Sequence, residues 1–218
     1  NIRLENDFYQ EIRNSFKDAI SCRPRPVHVE IPTDLLEQYY PIDFEYSNDK
    51  EKIKLDIEKI KQAVKLINDS KRPLILAGHG AVNSNSGQEI RNLSYKIGAP
   101  VVTTLPARGI IDEDDISCFG TIGVRGTENA KMAFEKSDLL ISLGVKFSDR
   151  TSYAIYDNSK KIIDIDIEKS KKNIPFDISF VGGIKEIINN ITIGVSRKTG
   201  LWVEKNPTEK LEGISSSS

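Results

Sequence analysis

The chain has 218 residues with a formal net charge of −1, and 38% of its residues are hydrophobic. A charge balance this close to neutral gives no electrostatic basis for binding nucleic acid or an anionic membrane. No apolar run approaches the roughly 18 residues of a membrane span, and the polar stretch 1–10 lacks the apolar core of a signal peptide, so we expect a cytoplasmic protein.

Residues 1–32 are predicted to be the end of a preceding domain. Apolar side chains recur there at the spacing of an amphipathic helix, namely Phe8 or Tyr9, Ile12, Phe16 and Ile20. Pro24 and Pro26 end this helix, and the alternating segment 27–31 is predicted to be a strand that Pro32 ends. Because one helix and one strand cannot bury their apolar faces alone, the rest of that domain is expected elsewhere.

Residues 33–50 are interpreted as a linker, and residues 51–192 as a central domain in which helices and strands alternate. Ser47-Asn48-Asp49 suits a helix start, and the helical face that follows consists of Ile53, Ile57, Ile60, Val64 and Ile67. Strands are predicted at 73–77, 100–104, 139–143, 161–165 and 178–181. Further helices are predicted from Ile90 to the stop signal Gly98, from the cap Thr127 to Lys136, and through Ile184, Ile187, Ile188 and Ile191.

Strands separated by helices of this length require parallel crossover connections. We therefore predict an α/β fold with a doubly wound, mostly parallel sheet of about six strands flanked by helices, Rossmann-like in architecture. The apolar run 139–143 is typical of a strand that is buried on both faces. Residues 193–218, which end in four serines, are predicted to be a linker or tail that is partly disordered.

Gly78-His79-Gly80 follows the first of these strands directly. Glycine allows a backbone to approach a ligand closely, and a helix start nearby could direct free N–H groups at a phosphate. The full GxGxxG motif is absent because Asn83 stands at its third glycine, so an ordinary tight turn is an equally good explanation. For His79, both ligand contact and a plain turn position remain open.

Two later turns carry similar alternatives. Gly120, Gly123 and Gly126 lead into the helix capped by Thr127, and Arg125 either pairs with a phosphate or carboxylate or lies on a solvated face. Four polar residues follow strand 139–143 and indicate either a ligand site or a surface salt-bridge cluster: Lys146, Ser148, Asp149 and Arg150.

Asp164 and Asp166 share one side of the strand end at 161–165. An acidic group there either accepts hydrogen bonds from a ribose or caps the segment that starts at Glu168. Because the carboxyl ends of parallel strands meet at one edge of a sheet, these turns are predicted to form one ligand groove.

The chain shows little catalytic machinery. Cys22 and Cys118 permit one disulfide, although two unpaired thiols in a reducing cytosol fit their spacing better. His28 and His79 leave little for a His-based metal site, and no nucleophile elbow, P-loop or HExxH motif occurs. We predict no catalytic residue and no metal ligand in this chain, and we expect Trp202 to be a packing anchor.

Five motifs lie in order along the central part of the chain. They are Leu-Ala-Gly-x-Gly at 76–80, Gly-Ala-Pro-Val-Val-Thr-Thr-Leu at 98–105, Gly-x-x-Gly-x-x-Gly-Thr at 120–127, Asp-Leu-Leu-Ile-x-Leu-Gly-Val-x-Phe-x-Asp-Arg at 138–150 and Ile-Asp-Ile-Asp at 163–166. Together they resemble the central domain of thiamine-diphosphate enzymes of the acetolactate (acetohydroxyacid) synthase group. Residues 23–32 resemble the segment that closes the first domain of those enzymes.

The resemblance implies a parent transferase of branched-chain amino acid biosynthesis, a homo-oligomer that joins two 2-oxo acids with loss of carbon dioxide. Thiamine diphosphate and Mg²⁺ would bind between its first and third domains. The third domain's Gly-Asp-Gly motif is absent here, so this fragment alone is not expected to bind thiamine diphosphate or catalyse. In the central domain, the resemblance implies FAD in a structural role, ADP, or an empty cleft. The implied cofactor contacts are Gly78, His79, Gly80, Thr104, Leu105, Gly123, Val124, Arg125, Gly126, Gly144, Val145, Lys146, Arg150 and Asp166.

Three departures from the family's pattern bear on FAD. The family's Gly-Met-His-Gly is Gly-Val-Arg-Gly at 123–126, and Lys146 replaces an Arg, which loses planar bidentate pairing. The family's Val-Gly-Asp is Val-Gly-Gly at 181–183, which removes a carboxylate. The alternatives are a stand-alone nucleotide-binding module or NAD-dependent enzyme, and a structural or oligomerisation domain with an empty cleft, which Tyr39 and Tyr40 would suit.

Overall fold

The computed structural model describes residues 8–21, 23–37, 55–124, 126–147, 160–169 and 174–206. The chain divides into two units, residues 1–52 and residues 53–218. In the first unit, α1 spans Phe8–Ile20 and α2 spans Thr33–Leu36. Helix α1 confirms the predicted amphipathic helix, and the side chains of Phe16 and Ile20 on it are largely exposed.

The predicted strand at 27–31 is wrong. Within the described ranges, these residues pair with no neighbouring strand, and His28 is exposed. A strand exists only where a neighbour takes its backbone hydrogen bonds, so an alternating pattern without that neighbour does not form one.

The second unit begins with α3 (Ile57–Asp69), whose start differs from the prediction. Asp56 caps this helix, because its Oδ1 accepts a hydrogen bond from the backbone N–H of Lys59 at 3.1 Å. The predicted cap at 47–49 lies outside the described residues, as does Ile53.

Six strands form one parallel sheet in the second unit. They are β1 (Pro73–Ala77), β2 (Val101–Thr103), β3 (Cys118–Thr121), β4 (Leu139–Leu143), β5 (Lys161–Asp166) and β6 (Ile178–Val181), in the order β3-β2-β1-β4-β5-β6. Every neighbouring pair is parallel, which confirms the predicted doubly wound α/β fold. The five strands predicted in this region are confirmed. The sixth, β3, is not among the predicted strands, because it contains Gly120, a residue typical of loops and bulges.

The helices of this unit are α4 (His79–Asn83), α5 (Gly87–Ile97), α6 (Glu128–Lys136) and α7 (Ile184–Gly194), with a 3-10 helix at Leu105–Ala107. Two predicted boundaries are confirmed. Gly98 ends α5 at a φ of 64°, and the Thr127 hydroxyl accepts a hydrogen bond from Ala130 N–H at the start of α6. Within the described residues, none of the helices has the length and apolar character needed to cross a membrane.

Two apolar cores lie on the two faces of the sheet. Alternate strand residues such as Ile75 and Ile141 pack with α3, α5 and α7, whereas Leu74 and Leu140 pack with α6. In open α/β sheets of this kind, ligands bind beyond the carboxyl ends of the strands.

Residues 195–206 follow α7 and lie against the sheet and its helices. The indole Nε1 of Trp202 donates a hydrogen bond to the carbonyl oxygen of Pro73, at the start of β1, at 2.7 Å. Leu201 and Val203 pack against the core on the α6 side. Trp202 therefore anchors this segment near the amino edge of the sheet, opposite the carboxyl edge.

Candidate functional site

Backbone hydrogen bonds join the turns at the carboxyl edge into one continuous structure, which we call the carboxyl rim (residues 78–80, 104–105, 121–124, 126, 144–147 and 166–167). Each bond runs from the residue after one strand to the end of its neighbour. These bonds are Ile122 N–H to Thr103 O (2.9 Å), Thr104 N–H to Ala77 O (2.9 Å), Gly78 N–H to Leu143 O (2.9 Å), Gly144 N–H to Ile165 O (2.8 Å) and Gly182 N–H to Asp166 O (2.8 Å). The rim is therefore held in place by the sheet itself.

The order of the strands reverses between β1 and β4. From β1 the chain continues to β2 and β3 on one side, whereas β4, β5 and β6 lie on the other. In open α/β sheets, ligands bind beyond the carboxyl ends of the strands at such a switch point. Here that point is formed by the turns at residues 78–80 and 144–147.

Glycines allow these two turns to touch. A Cβ atom on Gly78 would lie 2.3 Å from the carbonyl oxygen of Gly144, and one on Gly144 would lie 2.6 Å from the Cα of Gly80. Gly144 also has a φ of 61°, in the left-handed region that favours glycine. The N–H groups of Gly78 and Gly80 donate within this contact, to Leu143 O and Gly144 O. These glycines therefore serve backbone-to-backbone packing.

The loop after β3 forms a second tight turn on the same edge. Gly126 N–H donates to Gly123 O, and Thr127 N–H donates to Thr121 O, both at 2.9 Å. Val124, at the tip of this turn, is 86% exposed. Arg125, for which a phosphate or carboxylate partner was considered, lies outside the described residues.

His79 and its neighbours occupy the rim between β1 and β2. The imidazole of His79 is exposed, and its Nδ1 lies 3.2 Å from the carbonyl oxygen of Pro106. Leu105, in the same 3-10 helix as Pro106, is 71% exposed, whereas Thr104 is buried. No sequence pattern indicated the part played by Pro106, since the contributing group is a backbone carbonyl.

The turn after β4 alternates between buried and exposed residues. Val145 and Phe147 are buried, and the Phe147 ring packs at 5.6 Å from that of Phe176. Lys146 between them is exposed. Ser148, Asp149 and Arg150 lie outside the described residues, so Lys146 is the cation of this predicted cluster that the structure places on the rim.

Asp166 is the acidic group at the end of β5, and it is 3% exposed. Its Oδ1 accepts hydrogen bonds from the N–H groups of Ile167 at 2.7 Å and Glu168 at 3.4 Å. The carboxylate therefore caps the turn that follows β5, which is one of the two roles that the sequence left open for it. Asp164 is also buried, beside Ser142 in the β4–β5 register.

A charged cluster lies away from the rim, beside the start of β3. Burial alone would raise the pKa of Asp115, but hydrogen bonds from Ser117 and Tyr95 and the nearby Arg91 guanidinium lower it below its ordinary value. Arg91 and Asp115 also line a groove of about 390 Å³, together with the start of α5, residues 110–112 and Lys185. Each of these contacts satisfies a partner within the cluster, which indicates a structural role.

Cysteine chemistry and metal binding find no support in the described residues. Cys118 is buried, and burial raises the pKa of its thiol, which favours the unreactive protonated form. Among the described residues, no group of three or more His, Cys, Asp or Glu side chains is arranged to hold a metal ion.

Comparison with known proteins identifies the family to which this fold and site belong. The family model described as "Thiamine pyrophosphate enzyme, central domain" matches residues 60–191. The chain is similar to the probable acetolactate synthase large subunit of Methanococcus aeolicus, with 36% identity over 192 residues, 82% of this chain and 32% of that protein. It is also similar to the probable acetolactate synthase large subunit of Methanocaldococcus jannaschii (34% over 201 residues, 87% of this chain and 34% of that protein).

A bacterial relative matches over the same region. The acetolactate synthase of Mycobacterium bovis is 32% identical over 198 residues, 87% of this chain and 32% of that protein. The chain therefore spans about a third of the length of the curated relatives it matches.

Proposed function

Because the chain belongs to the thiamine pyrophosphate enzyme family and matches the central domain of those enzymes, we propose that its carboxyl rim binds a nucleotide, which is either FAD or ADP. The relatives named acetolactate synthase support placing this domain in an enzyme that condenses 2-oxo acids with decarboxylation. In that proposal, other domains of a homo-oligomeric parent hold thiamine diphosphate and Mg²⁺, and this chain alone does not catalyse.

The observation that carries the proposal is the switch point between β1 and β4. It lies at the centre of a six-stranded parallel sheet, and the turns on both sides of it belong to one hydrogen-bonded rim. A ligand that spans several strand ends, as a dinucleotide does, suits such a site.

The exposed side chains of the rim fit a nucleotide. Leu105 and Val124 offer aliphatic surface for a base, and the Lys146 ammonium is a suitable partner for a diphosphate. FAD, when bound, would act structurally, by joining turns that come from different strands. The proposed contacts are those carried by the family resemblance: Gly78, His79, Gly80, Thr104, Leu105, Gly123, Val124, Arg125, Gly126, Gly144, Val145, Lys146, Arg150 and Asp166.

A second candidate, a structural domain with an empty cleft, is favoured by a different observation. The N–H groups of Gly78 and Gly80 are already bonded to carbonyl oxygens of the neighbouring turn. This part of the rim is therefore held together without a ligand, which is what a purely structural domain requires.

Calorimetric titration of the purified chain with FAD and with ADP separates the two candidates. We expect saturable binding of at least one nucleotide, with a matching rise in the thermal midpoint of unfolding, since a ligand of the folded state stabilises it by mass action. The absence of both heat and thermal shift at millimolar nucleotide would reject nucleotide binding and leave the structural domain.

A further inference from the structure

The glycine turn after β1 has no N–H group left at either glycine for a ligand. Gly78 N–H donates to Leu143 O at 2.9 Å and Gly80 N–H donates to Gly144 O at 3.0 Å, while Gly144 N–H donates to Ile165 O at 2.8 Å. In many dinucleotide folds, such N–H groups hold the phosphates. The two glycine N–H groups of this turn are therefore not available to a ligand, which makes the side chain between them, His79, a candidate for polar recognition.

His79 is the polar side chain of that turn, and its orientation is determined by a backbone group. Its Nδ1 lies 3.2 Å from Pro106 O, and a carbonyl oxygen can only accept a hydrogen bond. In the neutral ring, Nδ1 must therefore carry the proton, which leaves a lone pair on Nε2. The exposed His79 thus presents a hydrogen-bond acceptor to the solvent side of the rim.

We propose that His79 is a specificity-determining residue of the rim, which accepts a hydrogen bond at Nε2 from an N–H or O–H group on the nucleoside part of the ligand. Phosphate oxygens are acceptors, so a neutral ring with this proton arrangement does not recognise the diphosphate. Leu105 precedes Pro106 in the same 3-10 helix and is exposed, so it offers aliphatic surface for the base in this part of the rim. This inference rests on the proposed nucleotide binding and assigns a ligand group to one atom.

The proton arrangement is testable in the free chain. Long-range ¹H–¹⁵N correlation spectra distinguish a protonated from an unprotonated ring nitrogen, and His28, the chain's other histidine, serves as an internal reference in the same spectrum. At mildly alkaline pH, where an imidazole is neutral, we expect His79 to be protonated at Nδ1. A ring protonated at Nε2 would overturn the inference and leave the proposed function untouched.

Two variants test the ligand contact, and each places an amide group where one of the two ring nitrogens of His79 lies. His79→Asn retains a donor for Pro106 O but has no group at the Nε2 position, whereas His79→Gln places an amide oxygen near that position. We expect His79→Asn to bind FAD or ADP about three- to tenfold more weakly, and His79→Gln to recover part of that loss. His28→Asn is the matched control and should bind as the unaltered chain does.

Inorganic pyrophosphate, which lacks the nucleoside, separates the two parts of the ligand. Its affinity should be the same for the unaltered chain and for His79→Asn. Equal losses for pyrophosphate and ADP would identify a phosphate contact and overturn the inference, as would unchanged nucleotide binding by a folded His79→Asn chain. If the unaltered chain binds neither FAD nor ADP, both the proposed function and the proposed His79 contact are rejected.

Discussion

Gly80 and Gly144 meet backbone to backbone at the centre of the carboxyl rim. Gly80 N–H donates to Gly144 O at 3.0 Å, and a Cβ on Gly144 would lie 2.6 Å from the Cα of Gly80. The two residues are far apart in the sequence but follow adjacent strands, β1 and β4. Their contact holds the two turns of the switch point together.

Substitution of Gly144 tests how much that contact contributes to folding. Gly144→Ala adds a Cβ atom to a residue with a φ of 61°, and that atom would lie only 2.6 Å from the Cα of Gly80. We therefore expect a loss of roughly 2–4 kcal/mol in the free energy of unfolding. Urea denaturation followed by far-ultraviolet circular dichroism measures it.

Two other glycines separate the causes of this loss. Gly109 has a φ of 88°, but a Cβ added there would meet no atom within 4 Å, so Gly109→Ala should cost only the backbone strain, about 1–2 kcal/mol. Gly183 has neither restriction, so Gly183→Ala should cost only what alanine loses relative to glycine at a helix N-cap, about 0.5 kcal/mol. A Gly144→Ala loss no larger than that of Gly109→Ala would contradict the role given to the Gly80 contact.

Gly183 also offers a gain in stability. It is the N-cap of α7 and contributes no side-chain hydrogen bond, and its φ of −68° and ψ of 120° suit any residue. Gly183→Asp should therefore cap the helix and raise the free energy of unfolding by about 0.5–1 kcal/mol, because a carboxylate satisfies free N–H groups at the helix start. Gly183→Ala is the reference in the same urea experiment, and equal stabilities would disprove capping.

Asp138 is expected to stabilise the fold in a pH-dependent way. Burial alone would raise its pKa, but hydrogen bonds from the Ser70 hydroxyl and from the N–H groups of Lys71 and Arg72 lower it below the ordinary value. At neutral pH, Asp138→Asn should lose about 1–2 kcal/mol, because an amide replaces one accepting oxygen.

The sign of the pH effect follows from the lowered pKa of Asp138. The stabilisation is complete above the unfolded-state pKa of about 3.9 and is lost as the pH falls through the folded-state value. The difference between the unaltered chain and Asp138→Asn should therefore narrow in acid. Asp69→Asn, at an exposed aspartate, is the control and should change stability by less than about 0.5 kcal/mol at either pH.

Lys146 is the described cation of the rim with which a diphosphate is proposed to pair. Lys146→Gln should weaken the binding of ADP or FAD about two- to fivefold at low salt, with a smaller effect at high salt, because an exposed charge is screened. Lys161→Gln removes an equivalent exposed charge at the amino edge of the same sheet. Titration calorimetry should show that this control binds normally, and an equal loss in both variants would indicate a non-specific charge effect.

Much of the fold was predictable because it depends on local patterns. The apolar runs at 73–77 and 139–143 and the helix signals at Thr127 and Gly98 each lie within a few residues of the element they specify. Residues 27–31 show the limit of such patterns. Their alternation suited a strand, but no partner strand is present in the described part of the chain.

The motif residues of the site were identifiable from the sequence, but the roles of their atoms were not. By itself the sequence determined the alternation of helices and strands, the family, and the edge of the sheet at which the glycine turns meet. Only the tertiary structure decided that the N–H groups of Gly78 and Gly80 bond across to the β4 turn, that Asp166 caps its own turn, and that Pro106 orients His79. The physical reason is that a hydrogen bond depends on which groups come within about 3 Å, and for most of these turns the partners come from other strands or loops.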